Sequence, residues 1–146
     1  MSTEENKAIV RRFLERIFTR GDPDVVDELA APGFVVHDPS SEAGDVDAQG
    51  VKESIAWSHN AFPELRVTIE DQVAEGDKVA TRWRVSGTHQ GEMTGAAPTG
   101  NQVTFTGTQT DYISGGKMVE SWSNWDTLGM LRQIGAVPTA GRQAGG

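Results

Sequence analysis

The sequence predicts an α+β fold in which helices lie on one face of a curved sheet. Three observations carry that prediction. Helical apolar spacing is confined to the residues before Pro63 and to a short closing stretch. From Leu65 onward, consecutive segments alternate apolar and polar residues as strands do. Two of the three connections between those segments are short turns marked by glycine, which suits antiparallel neighbours.

Ser2 and Glu5 form a capping box that opens the first helix. Ile9, Val10, Phe13, Leu14, Ile17 and Phe18 then recur at helical spacing, and Gly21 is a left-handed stop. Asp22 and Pro23 start a second helix as N-cap and first position. Val25, Val26 and Leu29 are its apolar side, and Pro32-Gly33 ends it. Residues 34–38 read as a short strand and 39–49 as a polar loop. A third helix over about 51–61 carries Val51, Ile55, Trp57 and His59, and Pro63 stops it. Leu65, Val67 and Ile69 alternate with polar residues in the next strand, and Glu75-Gly76-Asp77 turns it. Strands follow over 78–89, 102–113 and 117–126, with a loop over 90–101 and a turn at Ser114-Gly115-Gly116. Leu128, Met130, Leu131 and Ile134 predict a closing helix stopped by Gly135. One domain is expected over 1–138, with a frayed tail over 139–146 that has no apolar residue larger than alanine.

Composition excludes several functions. There is no cysteine, so disulfides, thiolate nucleophiles and cysteine-ligated zinc are ruled out. The 21 acidic residues outweigh 13 basic ones, and the net charge of −8 repels both phosphate backbones and anionic membranes. No run approaches the roughly 20 apolar residues of a membrane span, and the polar start does not read as a signal peptide. A cytoplasmic protein without nucleic-acid or membrane partners is expected. The glycines at 95 and 100 have phosphate-loop spacing, but Asn101-Gln102 stand where lysine and a hydroxyl residue belong. His37, His59 and His89 lack the spacing of a helical zinc site.

Among the polar residues, Glu120, Trp122, Asn124 and Asp126 share parity on the last strand, on a face expected to meet the helices. A carboxylate against apolar walls becomes a better base. Asp126 also stands where an N-cap of the closing helix belongs, and the two roles coexist only if one oxygen stays free. His89 ends a strand between Gly87 and Gly91, where it either donates to an oxyanion or ties down the loop. His37 and Asp38 point to opposite faces, and Asp38-Pro39 is equally good turn chemistry. His59 reads as structural. Most of the four tryptophans are expected in the core, though a pocket for flat ligands would use them too. Arg82 opposes Trp83, and completes an Asp-Arg-Asp relay with Asp38 and Asp126 only if it faces inward.

These segments together resemble a known family: His37-Asp38-Pro39, Ala61-Phe62-Pro63, Glu75-Gly76-Asp77-Lys78-Val79, Gly87-Thr88-His89-Gln90-Gly91 and Pro98-Thr99-Gly100, then Gly116 to Trp122, Asp126, and Leu131 to Gly135. In order and spacing they resemble the SnoaL-like polyketide cyclases of the nuclear-transport-factor-2-like (NTF2-like) superfamily, over about residues 5–137. The resemblance implies a cone-shaped α+β barrel, three N-terminal helices on a mostly antiparallel sheet, and a deep apolar pocket. It also implies a homodimer formed through the sheet. It implies intramolecular aldol condensation of a hydrophobic or aromatic carbonyl substrate, without metal or cofactor. By motif, Asp126 matches the acid/base aspartate, and His37 and His89 match pocket histidines. Asp38, Trp57, Arg82, Glu120 and Trp122 are the expected substrate contacts. Ketosteroid isomerase, of the same superfamily, has its base in an early segment ending in Asp-Pro, which makes Asp38 a rival base. A non-catalytic binder, or an isomerase or hydrolase using the same pocket, are the alternatives.

Overall fold

The computed structural model describes residues 2–40, 44–93 and 95–136. The tail expected to fray, 139–146, lies outside the described residues. Helix α1 (Thr3–Leu14) begins at the predicted capping box, with Ser2 and Glu5 bonded in both directions. It does not continue as an α-helix to Gly21. Glu15–Thr19 form a π-helical turn instead. That turn leaves the Ile17 carbonyl free to accept from His59 Nε2 at 2.9 Å. Arg16 then bonds Asp22 at 2.6 Å and Glu28, tying the turn to α2 (Asp24–Leu29). Asp22 does not cap α2 directly: Pro23 is its N-cap, and Asp22 Oδ1 accepts from the Asp24 N–H at 3.0 Å.

Pro32-Gly33 does not end α2. The chain is already extended from Ala30, and β1 spans Ala30–His37. The polar stretch read as a loop contains a three-residue strand, β2 (Asp45–Asp47), paired antiparallel to β1. Asp47 then caps α3 (Ala48–Ala61) by accepting from the Gly50 N–H. The remaining strands are β3 (Arg66–Glu75), β4 (Lys78–Thr88), β5 (Gln102–Ser114) and β6 (Lys117–Trp125), and α4 (Thr127–Gln133) closes the chain. Together they make a six-stranded sheet in the order β2-β1-β6-β5-β4-β3. All pairs are antiparallel except β1 with β6, which is parallel. The predicted class, α+β with a mostly antiparallel sheet, is the observed one.

The core lies between the helices and one face of this sheet, called here the inner face. Val79, Trp83 and Val85 of β4 and Val103 and Ile113 of β5 meet Val10, Phe13 and Leu14 of α1, Val25 and Val26 of α2, and Ile55 of α3 in one buried cluster. One contact shapes its centre. Trp83 pairs with Gly107 across β4 and β5, and a Cβ at 107 would lie 2.4 Å from the indole Cζ2. Only glycine leaves room for the ring there.

Two bulges set which side chains face inward. Glu70 is the extra residue on β3, between the Ile69–Trp83 and Asp71–Arg82 pairs. On β6 it is Val119, between the pairs Ile113–Met118 and Tyr112–Glu120. Met118 faces the core, and a regular strand would keep Glu120 and Trp122 on that side. The bulge reverses the alternation, so Ser121 faces inward. Replacing Gly107 with alanine should destabilise the fold by about 1–3 kcal/mol, because the indole must shift. Urea unfolding of the variant measures this.

Candidate active site

The inner face carries a buried polar relay. Trp83 Nε1 donates to Gln109 Oε1 at 3.1 Å, and Gln109 Nε2 donates to Asp111 Oδ2 at 2.9 Å. An indole only donates, so Trp83 fixes which end of the amide faces it. The amide nitrogen is thereby turned toward the carboxylate. Ser121 is the cross-strand partner of Asp111 and is close enough to favour its ionised form. Asp111 has no exposed surface, and its Oδ1 has no hydrogen-bond partner. Burial pushes its pKa from 3.8 up to about 6, against the lowering effect of Gln109 and Ser121.

Register places this relay in successive rungs across the inner face. Asp111 lines up with Ser121 and Val36, and Gln109 with Ser123 and Thr81. The next rung is aromatic, with Trp125 and Trp83 on either side of Gly107. Phe18 from the π-turn packs on Trp83 at 5.2 Å between centroids, and Phe105 on Trp125 at 5.1 Å. Phe18, Phe105, Trp125, Ser123 and Val36 are half-buried, whereas Trp83, Ser121 and Asp111 are fully buried. The inner face thus combines an aromatic wall with a carboxylate whose pKa burial raises to about 6.

The residues expected to form the site do not come together there. Glu120, Trp122, Asn124 and Asp126 do share a side of the sheet, but it is the outer one, away from the helices, because of the Val119 bulge. Trp122 is 39% exposed. His37 sits on that outer side. Its Nδ1 is 2.8 Å from Asp45 Oδ1 and its Nε2 is 2.5 Å from Glu120 Oε2. Both partners are carboxylates, an arrangement that favours the doubly protonated ring. Glu120 and then Asp45 hold its pKa above the usual histidine value. Its ring lies 5.1 Å from that of Trp122.

Asp126 is exposed and caps α4, with Oδ1 accepting from the Gly129 N–H at 2.8 Å. A Cβ at position 129 would lie 2.1 Å from Asp126 Oδ2, so glycine lets the carboxylate seat in this position over the helix start. Arg82 faces outward as well. With Asp126, Asn124, Thr106, Thr108, Gly107 and Trp125 it lines an open hollow of about 280 Å³. The inward relay through Arg82 is therefore absent. Asp38 follows β1 and its Oδ1 accepts from the Ser40 N–H at 2.9 Å, the turn chemistry weighed above. Trp57 is 45% exposed on α3, so two of the four tryptophans, Trp57 and Trp122, lie at the surface rather than in the core.

His89 is fully buried, but at the far end of the sheet. Its Nδ1 accepts from the Thr99 N–H at 3.3 Å, and its backbone pairs with Asn101 and Gly100, so it ties down the 95–101 loop. It lies ten residues beyond Val79, the partner of Asp111. At about 3.3 Å per residue that is roughly 30 Å along the strand. Asp126, His37 and His89 therefore occupy three separate places. Asp111 and Gln109 escaped the sequence reading because an aspartate in a threonine-rich strand looks solvated. The available signal was its alternation with Gly107, Gln109 and Ile113, opposite Val79. Among the described residues, no three histidine, aspartate or glutamate side chains gather as a metal ion would need. Nor is any helix among them long and apolar enough to cross a membrane.

Comparison with known proteins bears on this arrangement. The model of the SnoaL-like polyketide cyclase family matches residues 8–134. Among solved structures, AclR from Streptomyces galilaeus, a proposed hydroxylase, is 28% identical with a TM-score of 0.84, covering 94% of this chain and 89% of its own. A proposed polyketide cyclase from Acidithiobacillus ferrooxidans is 28% identical with a TM-score of 0.82, covering 94% and 100%. IdmH from Streptomyces antibioticus, another proposed polyketide cyclase, is 32% identical with a TM-score of 0.78, covering 89% and 98%. Among curated proteins, none matches the chain significantly.

Two pH effects follow. The His37 pKa is raised on folding, so its contribution is complete below the ordinary value of 6.5 and is lost as pH rises through the folded value. His37→Gln should therefore lose more stability at pH 5.5 than at pH 9, as read by urea midpoints. The Asp111 pKa is also raised, so the folded state is favoured by that group below 3.8 and penalised as pH rises through about 6. The full gap corresponds to about 3 kcal/mol. Asp111→Asn should gain stability over the parent between pH 4 and pH 8, measured in the same way.

Proposed function

The chain belongs to the SnoaL-like polyketide cyclase family, and on that premise we propose that it catalyses cofactor-independent acid/base chemistry on a hydrophobic or aromatic carbonyl compound. The reaction is an intramolecular aldol closure. The observation that carries this reading is the inner face itself, an aromatic wall beside a dry polar relay. The half-buried Phe18, Phe105 and Trp125 offer flat apolar surface to fused or aromatic rings, with Trp83 packed behind them. The relay through Gln109 supplies a carboxylate poised to exchange a proton near neutral pH. Water exclusion strengthens every charge interaction made there.

Aldol closure asks little else of a protein. A proton leaves the carbon beside one carbonyl, and the enolate carbon attacks a second carbonyl of the same molecule. The new alkoxide then takes up a proton. Holding both carbonyls together against the aromatic wall supplies much of the rate by proximity. The names of IdmH and of the Acidithiobacillus protein agree with a cyclase, and that of AclR marks a different reaction on a similar chain.

The test is carbon deprotonation. In heavy water the protein should speed deuterium uptake at the α-carbon of 2-tetralone, an aromatic-fused ketone that need not cyclise to report. Mass spectrometry reads the uptake, and quenching of tryptophan fluorescence reports binding. Binding without faster uptake would leave a small-molecule binder in place of an enzyme.

A further inference from the structure

We infer that Asp111 is the catalytic base, acting through Oδ1, and that Gln109 is the positioning residue that keeps that oxygen available. The inference rests on the cyclase reading above and names the group that takes the proton.

Three observations support it. Asp111 is a fully buried carboxylate on the inner face, and its rung leads through Ser121 to the half-buried Val36. Its two oxygens are not equivalent, since Oδ2 accepts from Gln109 and Oδ1 has no partner. Finally, the orientation of Gln109 is dictated from the other side by Trp83, which donates to its oxygen. A buried acceptor left without a donor costs about 1–3 kcal/mol, and such a cost is expected where a group is kept free for chemistry. Asp126 is placed differently, exposed on the outer side of the sheet and engaged with the Gly129 N–H.

The step balances without a further reactant. Oδ1 of the ionised Asp111 takes the proton from the α-carbon, and the C–H electron pair moves to the adjacent carbonyl oxygen as an enolate. The enolate carbon bonds to the second carbonyl carbon, whose π pair becomes the alkoxide. The proton returns from Asp111 to that alkoxide and the carboxylate is restored. Nothing is oxidised or reduced.

The experiment is the 2-tetralone exchange assay on the full chain, run from pH 4 to pH 9 with four proteins. The parent should exchange faster as pH rises through about 6 and then level off. Asp111→Asn should lose at least about 100-fold while remaining folded, since it removes a buried charge. Gln109→Leu removes a hydrogen bond that lowers the Asp111 pKa, so its midpoint should move to higher pH. A merely structural Gln109 would leave the midpoint in place. Exchange retained in Asp111→Asn overturns Asp111 as the base but leaves the enzyme reading standing. Loss in Asp126→Asn with retention in Asp111→Asn returns the base to Asp126. A parent that binds 2-tetralone without exchanging it overturns both.

Discussion

The missing side chain of Gly107 is the constraint on which the rest of the interior depends. Because position 107 has no Cβ, the Trp83 indole can lie across β5. There it fills the centre of the core and also aims its one donor at Gln109. That bond orients the amide, and the amide orients Asp111. A packing contact, a hydrogen-bond direction and the environment of a carboxylate thus follow from one residue. The aromatic wall depends on it too, since Phe18 and Phe105 both pack on Trp83.

Much of the architecture was legible in the sequence. The capping box at Ser2 and Glu5, the glycine turns and the alternation in β4 and β5 are local signals, and local signals survive folding. The reading lost accuracy where the chain departs from a regular period. The π-turn at Glu15–Thr19 keeps apolar residues near helical spacing, so periodicity alone does not reveal it. Strand β1 begins before Pro32 because parallel pairing with β6, a long-range event, extends it. β2 is held by pairing to β1 rather than by its own residues.

The site was less legible for the same reason. Parity along β6 correctly grouped Glu120, Trp122, Asn124 and Asp126, but the group's direction depends on Val119, and no residue type announces that bulge. Motif resemblance picked out His37, His89 and Asp126, each of which has a demonstrable structural duty. His37 joins β2, β1 and β6, His89 holds a loop, and Asp126 caps a helix. Residues with such duties make strong motifs whatever their chemistry. Asp111 belongs to no motif, and its burial exists only in the folded sheet.

The ends of the strand order carry a consequence for the borders of the sheet. One edge is β2, three residues long, with Asp45 and Asp47 among them. The other is β3, which is kinked at Glu70 and carries Arg66, Asp71 and Glu75, and its Val67 N–H is already taken by the Thr19 hydroxyl. Short, charged and kinked borders are poor templates for adding a strand. The chain is therefore guarded against growing into a continuous ribbon by strand addition at either border.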